Sequence, residues 1–217
     1  MKKTKAIVAT IILFTIIFSS NVLSQDAKDI NLPSPVKTGG KPLMEALNAR
    51  QSAREFSAKE LSMQMLSDLL WAADGINRPD VDKRTAPTAM NWQDMEVYVI
   101  LRSGIYKYMA KENNLKLVKT GNFMKNAGKQ DYVEKAALNL VFVSNTSKMA
   151  KATTNDDKIL FAGIHTGCIV QNVYLYCASV GLNTVTRRNI DLVELKKTME
   201  LSAEDMIVTS QTIGFKP

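Results

Sequence analysis

The sequence predicts an α+β domain, and three observations carry that reading. Some segments repeat apolar residues at helical spacing, others are short β-branched runs, and the two kinds intermix without a steady strand-helix-strand beat. Hydrophobic residues make up 46% and charged residues 23% of 217, a globular composition that excludes disorder, collagen and low-complexity arrays. A chain this long forms one domain or at most two small ones, with core enough to need no disulfide framework. No internal repeats are present.

The elements follow in chain order. Lys2, Lys3 and Lys5 precede an apolar run from Ala6 to Phe18, too short to cross a bilayer and right for a signal sequence. Residues 1–24 are therefore expected to be a Sec-type signal peptide, cut before Gln25, with an uncleaved anchor as the alternative. The product would be exported, periplasmic or extracytoplasmic. Residues 25–42, rich in Pro, Gly and polar residues, read as a linker or N-terminal arm to a domain at 43–217.

A helix is expected over Leu43–Asn48, with Arg50–Phe56 as its exit loop. A second is expected from an N-cap at Ser62 to Ala73, with Met65, Leu66, Leu69, Leu70 and Ala73 on one face. A polar loop, 74–91, leads to a strand at Met95–Leu101. Residues 105–108 and 115–118 flank Glu112-Asn113-Asn114 as a hairpin, and a short helix is expected at Gln130–Ala137 before a strand at Leu138–Val143. Ile159–Val180 reads as a long helix, apolar nearly all round and so buried on every side, with Gly181 as its stop. Gly163 and Gly167 share one of its faces, where another backbone can approach. A helix at 192–201 and a strand at 206–215 close the chain.

The formal charge of +7 raises nucleic acid as a partner. Three of those positive charges lie in the expected signal, so no nucleic-acid partner is expected. Cys168 and Cys177 lie about 13.5 Å apart along one helix, too far for a disulfide, and read as buried thiols. The one histidine, His165, has no Cys/His cluster around it, so no metal site is expected, and it reads as a core or interface residue. Gly-x-Gly-x-x-Gly, the P-loop and the Gly-x-Ser-x-Gly elbow are all absent.

Two loops carry the candidate chemistry. Arg50, Gln51, Ser52 and Arg54 gather donors suited to a phosphate or another anion at a helix exit. Pro87-Thr88-Ala89-Met90-Asn91-Trp92-Gln93 places Asn91 and Gln93 before a core strand, where they can donate to and accept from a heterocycle edge. In this order, with Gly167–Leu175, Gly181-Leu182-Asn183 and the closing Thr212-Ile213-Gly214-Phe215, the chain resembles the nitroreductase superfamily from about Pro42 to Pro217. The segment Ser103–Leu117 is most similar to its SagB-type azoline dehydrogenase branch.

The resemblance implies a three-layer fold, a central, mostly antiparallel sheet flanked by helices, and a homodimer with FMN in clefts between subunits. It implies that Arg50 and Ser52, with Gln51 beside them, hold the FMN phosphate, and that Arg54 lies near flavin N1 and O2. It places Thr88, Asn91 and Gln93 at the isoalloxazine edge. Arg187 and Arg188 depart from the family's usual loop and are candidates for a phosphate or an acidic substrate. The implied activity is two-electron, ping-pong transfer to a small nitro or quinone acceptor, with NAD(P)H doubtful as donor to an exported enzyme. No catalytic side chain is assigned, and the alternatives are a flavin- or ligand-binding protein without turnover and a dehydrogenase of peptide rings.

Overall fold

A computed structural model describes residues 28–217; the expected signal peptide lies outside them. Seven strands form one sheet: β1 (Ile30–Asn31), β4 (Met95–Leu101), β5 (Gly104–Met109), β6 (Asn114–Thr120), β7 (Leu138–Asn145), β8 (Asn183–Arg187) and β9 (Asp205–Gly214). Their order across the sheet is β1-β6-β5-β4-β7-β9-β8, and every neighbouring pair is antiparallel. The expected α+β architecture is observed.

Alternation along the strands separates two cores. Val97 and Val99 of β4 join Leu140 and Phe142 of β7 beneath two helices, α2 (Met63–Asp74) and α3 (Asn155–Val180). Tyr98 and Ile100 point the other way with Val141 and Val143, toward α4 (Leu192–Thr198) and a one-turn helix at Met124–Ala127. A seven-residue helix, α1 (Leu43–Ala49), packs on α3. The layers are thus helix, sheet and helix.

Ser62 caps α2 as expected, its hydroxyl accepting from the Met65 amide. α3 begins four residues before the apolar pattern does. Thr154 caps it, and Asp156 and Asp157 in its first turn complement the helix dipole. Gly181 closes it in the left-handed region at φ 78°, a conformation a side chain would strain.

Four expectations are corrected. Residues 130–137 form turns, because Val133 O accepts the Asn139 side-chain amide instead of continuing a helical ladder. The loop at 74–91 contains a small ribbon, β2 (Ile76–Arg78) with β3 (Lys83–Arg84). α3 is buried on one face only: Ala162, His165, Ile169, Val173 and Cys177 face the sheet, while Ile159, Leu160 and Ile164 are exposed. By length and composition α3 could span a membrane, but the buried face makes it the core helix of this domain. Cys168 is half-buried and only Cys177 is fully enclosed; both are free.

The N-terminal arm packs on the domain. Residues 30–41 belong to the domain: β1 pairs with β6, Leu32 enters the core, and Pro33 O accepts from both Ser67 Oγ and Asn113 Nδ2. The Leu32→Ala variant is expected to lose about 2 kcal/mol of stability in urea unfolding. A dispensable linker would lose nothing.

Candidate functional site

α1 ends at Arg50, whose backbone amide donates to Ala46 O at 2.9 Å. Its guanidinium stands over the Tyr174 ring, 5.4 Å from the centroid. Two residues on, Ser52 Oγ and the Tyr174 hydroxyl are 2.8 Å apart, and that hydroxyl also accepts from the Thr186 amide at 3.0 Å. Ala53 donates to Thr184 O. The segment is therefore stitched to α3 and β8 through Tyr174, a residue the sequence reading did not single out. Gln51, Ser52 and Arg54 are exposed, and among the described residues neither Arg50 nor Arg54 pairs with a carboxylate. Two free guanidinium groups beside a hydroxyl fit a phosphate dianion.

The second loop is held in an unusual shape. Met90, Asn91 and Gln93 have φ of 50°, 54° and 47°, the left-handed region that costs a non-glycine residue about 1–2 kcal/mol. Such strain persists only where the surroundings enforce it, and it concentrates at functional loops. The Gln93 amide donates to Thr88 Oγ1 at 3.0 Å, and Gln93 Nε2 donates to Asp82 O at 2.7 Å. Arg84 Nε donates to Gln93 Oε1, while Arg84 Nη1 reaches the backbone and carboxylate of Asp74. Asn91 and Met90 project outward.

Below the loop lies a buried polar chain. Ser144 Oγ donates to Asp94 Oδ2, Asp94 Oδ1 is 2.8 Å from His165 Nδ1, and His165 Nε2 accepts the Ala89 amide at 2.8 Å. Trp92 closes over it edge-on to Phe161. His165 is thus an interior residue, as its setting in an apolar helix implied, with Nε2 hydrogen-bonded and Nδ1 close to a buried carboxylate without a hydrogen bond of good geometry. Asp94 and Asp74 were missed in the sequence, the visible signal being an acid directly before an apolar strand and another at a helix end. Burial raises the Asp74 carboxyl to about 7, against the favourable pull of Arg84 and with a further push from Asp94.

Arg187 does not join these groups. Its side chain turns into the opposite layer, where it donates to Ala127 O, Asn139 Oδ1 and Thr212 Oγ1 and is buried. Strand alternation accounts for this: Val185, two residues earlier on the same face, packs with Phe56, Ala136 and Tyr132, and the Arg187 guanidinium stands over the Tyr132 ring. Desolvation lowers Arg187 to about 10. The expectation that its guanidinium meets a phosphate or substrate is corrected to a structural role. Arg188 is exposed beyond the end of β8, beside Asn155 and Lys196, apart from the two loops.

Two donor-rich loops tied to one helix of a helix-sheet-helix fold suit an anionic ligand with a polar ring edge, and the comparisons give the family. The family model described as "Nitroreductase family" matches residues 47–215, so the chain belongs to the nitroreductase family. It is similar to a protein of Methanocaldococcus jannaschii assigned as a nitroreductase, 28% identical over 171 residues that cover 74% of this chain and 84% of that one. A crystal structure from Ralstonia eutropha JMP134, also assigned as a nitroreductase, superposes with a TM-score of 0.83 at 37% identity, covering 89% of this chain and 91% of that one. The NADPH:FMN oxidoreductase of Vibrio harveyi shares the fold at 19% identity and a TM-score of 0.59, covering 80% of this chain and 68% of that one.

The raised Asp74 gives a testable pH dependence. Its value in the fold lies above the ordinary 3.8, so the folded state holds a proton the unfolded chain has released, and stability falls as pH rises from about 4 to about 7. The Asp74→Asn variant is expected to remove that component, flattening the urea midpoint across this window by up to about 4 kcal/mol relative to the parent.

Proposed function

We propose that the protein is an exported, FMN-dependent oxidoreductase that works as a homodimer and passes two electrons to a small nitro or quinone acceptor. The observation that carries this reading is the pair of loops fixed to α3: one offers unpaired guanidinium groups, the other a strained array of amides. Bound FMN would supply the hydride chemistry, alternating between donor and acceptor in ping-pong fashion.

The protein's own groups bind and tune. Arg50 and Ser52, flanked by Gln51, would hold the phosphate. Arg54 would favour the negative charge that reduction places on the pyrimidine edge of the ring. Thr88, Asn91 and Gln93 would pair with the ring edge and fix its orientation.

Dimerisation has its own support. Leu160, Gly163, Ile164 and Gly167 form an exposed stripe on α3, Leu43, Met44 and Leu47 are exposed on α1, which packs on the same helix, and a methyl group added at either glycine would meet nothing within 4 Å. An apolar face of this extent, open to close approach, suits a second copy of the chain. Ser52 sits at the level of Tyr174 and Ala89 at the level of His165, about 13.5 Å apart along the helix. A cleft between two copies would let one protomer's Arg50 segment face its partner's Thr88 loop. Arg188 is assigned to the surface in this reading.

The test is the absorbance spectrum of the protein after incubation with FMN and desalting. Retention of the blue and near-ultraviolet bands of oxidised flavin is expected, with bleaching by dithionite and none by NADH, because pyridine nucleotides are not at hand outside the cytoplasm. Arg50→Ala is expected to weaken FMN binding about 10- to 100-fold, the effect of losing a charged hydrogen bond. A folded protein that retains no flavin overturns the proposal.

A further inference from the structure

His165 is the one histidine of the chain and is 2% exposed. Its Nε2 accepts the Ala89 amide, and an accepting ring nitrogen carries no proton, so the proton of the neutral ring sits on Nδ1, facing Asp94. Asp94 is itself completely buried and anchored by Ser144 of β7. Three elements, β7, the entry to β4 and α3, therefore converge on a single backbone amide, and it belongs to the residue immediately before the left-handed Met90 and Asn91. Trp92 and Phe161 pack around the ring and keep water from replacing the contact.

We propose that His165 is a positioning residue for the cofactor-facing loop: its unprotonated Nε2 holds the Ala89 amide and with it the strained Met90–Gln93 geometry, so acidification releases the loop and weakens FMN binding. The inference rests on the FMN site proposed above. Protonating Nε2 would turn the acceptor into a donor aimed at another donor, so the charged ring cannot keep this bond. The charges packed around it are Asp94 at 2.8 Å, and beyond it Asp74 with Arg84 at the end of α2. Lys148, after β7, donates to Gln93 O at 3.2 Å and lies 3.8 Å from Glu96. Among the described residues Asp94 has no ionic partner except His165.

A single histidine makes the test direct. Nitrogen NMR of the full chain, labelled at histidine, is expected to show the Nδ1–H tautomer at neutral pH, and exchange of the Ala89 amide is expected to accelerate at least tenfold as His165 takes up its proton. FMN affinity, titrated from neutral pH toward acid, is expected to fall about tenfold in the parent. His165→Gln keeps an accepting oxygen but gains no proton, so its affinity should stay within about threefold over that range. An Nε2–H tautomer, or a His165→Gln profile as steep as the parent's, overturns the inference. Should the protein bind no FMN at any pH, the proposed function fails, while the tautomer and the Ala89 exchange still decide the role of His165.

Discussion

A helix of 26 residues with apolar side chains on both sides cannot satisfy them all against one sheet. α3 gives its His165, Ile169, Val173 and Cys177 face to β4 and β7, which leaves Leu160 and Ile164 outside with glycines between them. That arrangement leaves one apolar face of α3 open, and it also places the two loops. Both are tied to the same helix, one at Tyr174 and the other at His165, so the spacing of two side chains along α3 fixes where each loop stands on its own protomer. Burial of one face therefore decides where the proposed phosphate-binding and ring-binding groups stand.

The two loops are supported in different ways. The Arg50 segment is light and open: few bonds hold it, to Ala46 of α1, to β8 and to Tyr174, and its guanidinium groups pair with no carboxylate among the described residues. The Thr88 loop is strained and heavily braced, with Arg84, Asp74, Asp94, Ser144 and His165 behind it. Bracing of this density is what three left-handed residues require, since each would relax if its supports were removed. A buried carboxylate raised to about 7 within that support is first the consequence of its desolvation, which the pull of Arg84 does not offset and to which Asp94 adds.

Much of this was legible in the sequence. Period-2 and period-3.6 patterns located β4, β7, α2 and α3 because each buries a face large enough to enforce its own periodicity. The motif order identified the family and both loops. What escaped had no local signal. β1 is two residues long and exists only because β6 offers an edge, and the turns at 130–137 depend on Asn139, which lies beyond them in the chain. The inward turn of Arg187 follows from the face of β8 that packs on Tyr132, a tertiary fact no arginine pair announces. The open side of α3 was invisible for the same reason: composition shows an apolar face but not whether the same chain covers it.

The central claim is that one cofactor site is built from two copies of the chain, with Arg50 from one and Asn91 from its partner. The most direct measurement mixes Arg50→Ala protomers with Asn91→Ala protomers and counts tightly bound FMN per dimer. In a heterodimer one cleft then carries both substitutions and the other carries neither, so the account predicts that one tight site returns where each parent homodimer has lost both. If no tight site returns on mixing, each site lies within a single protomer and the account is contradicted.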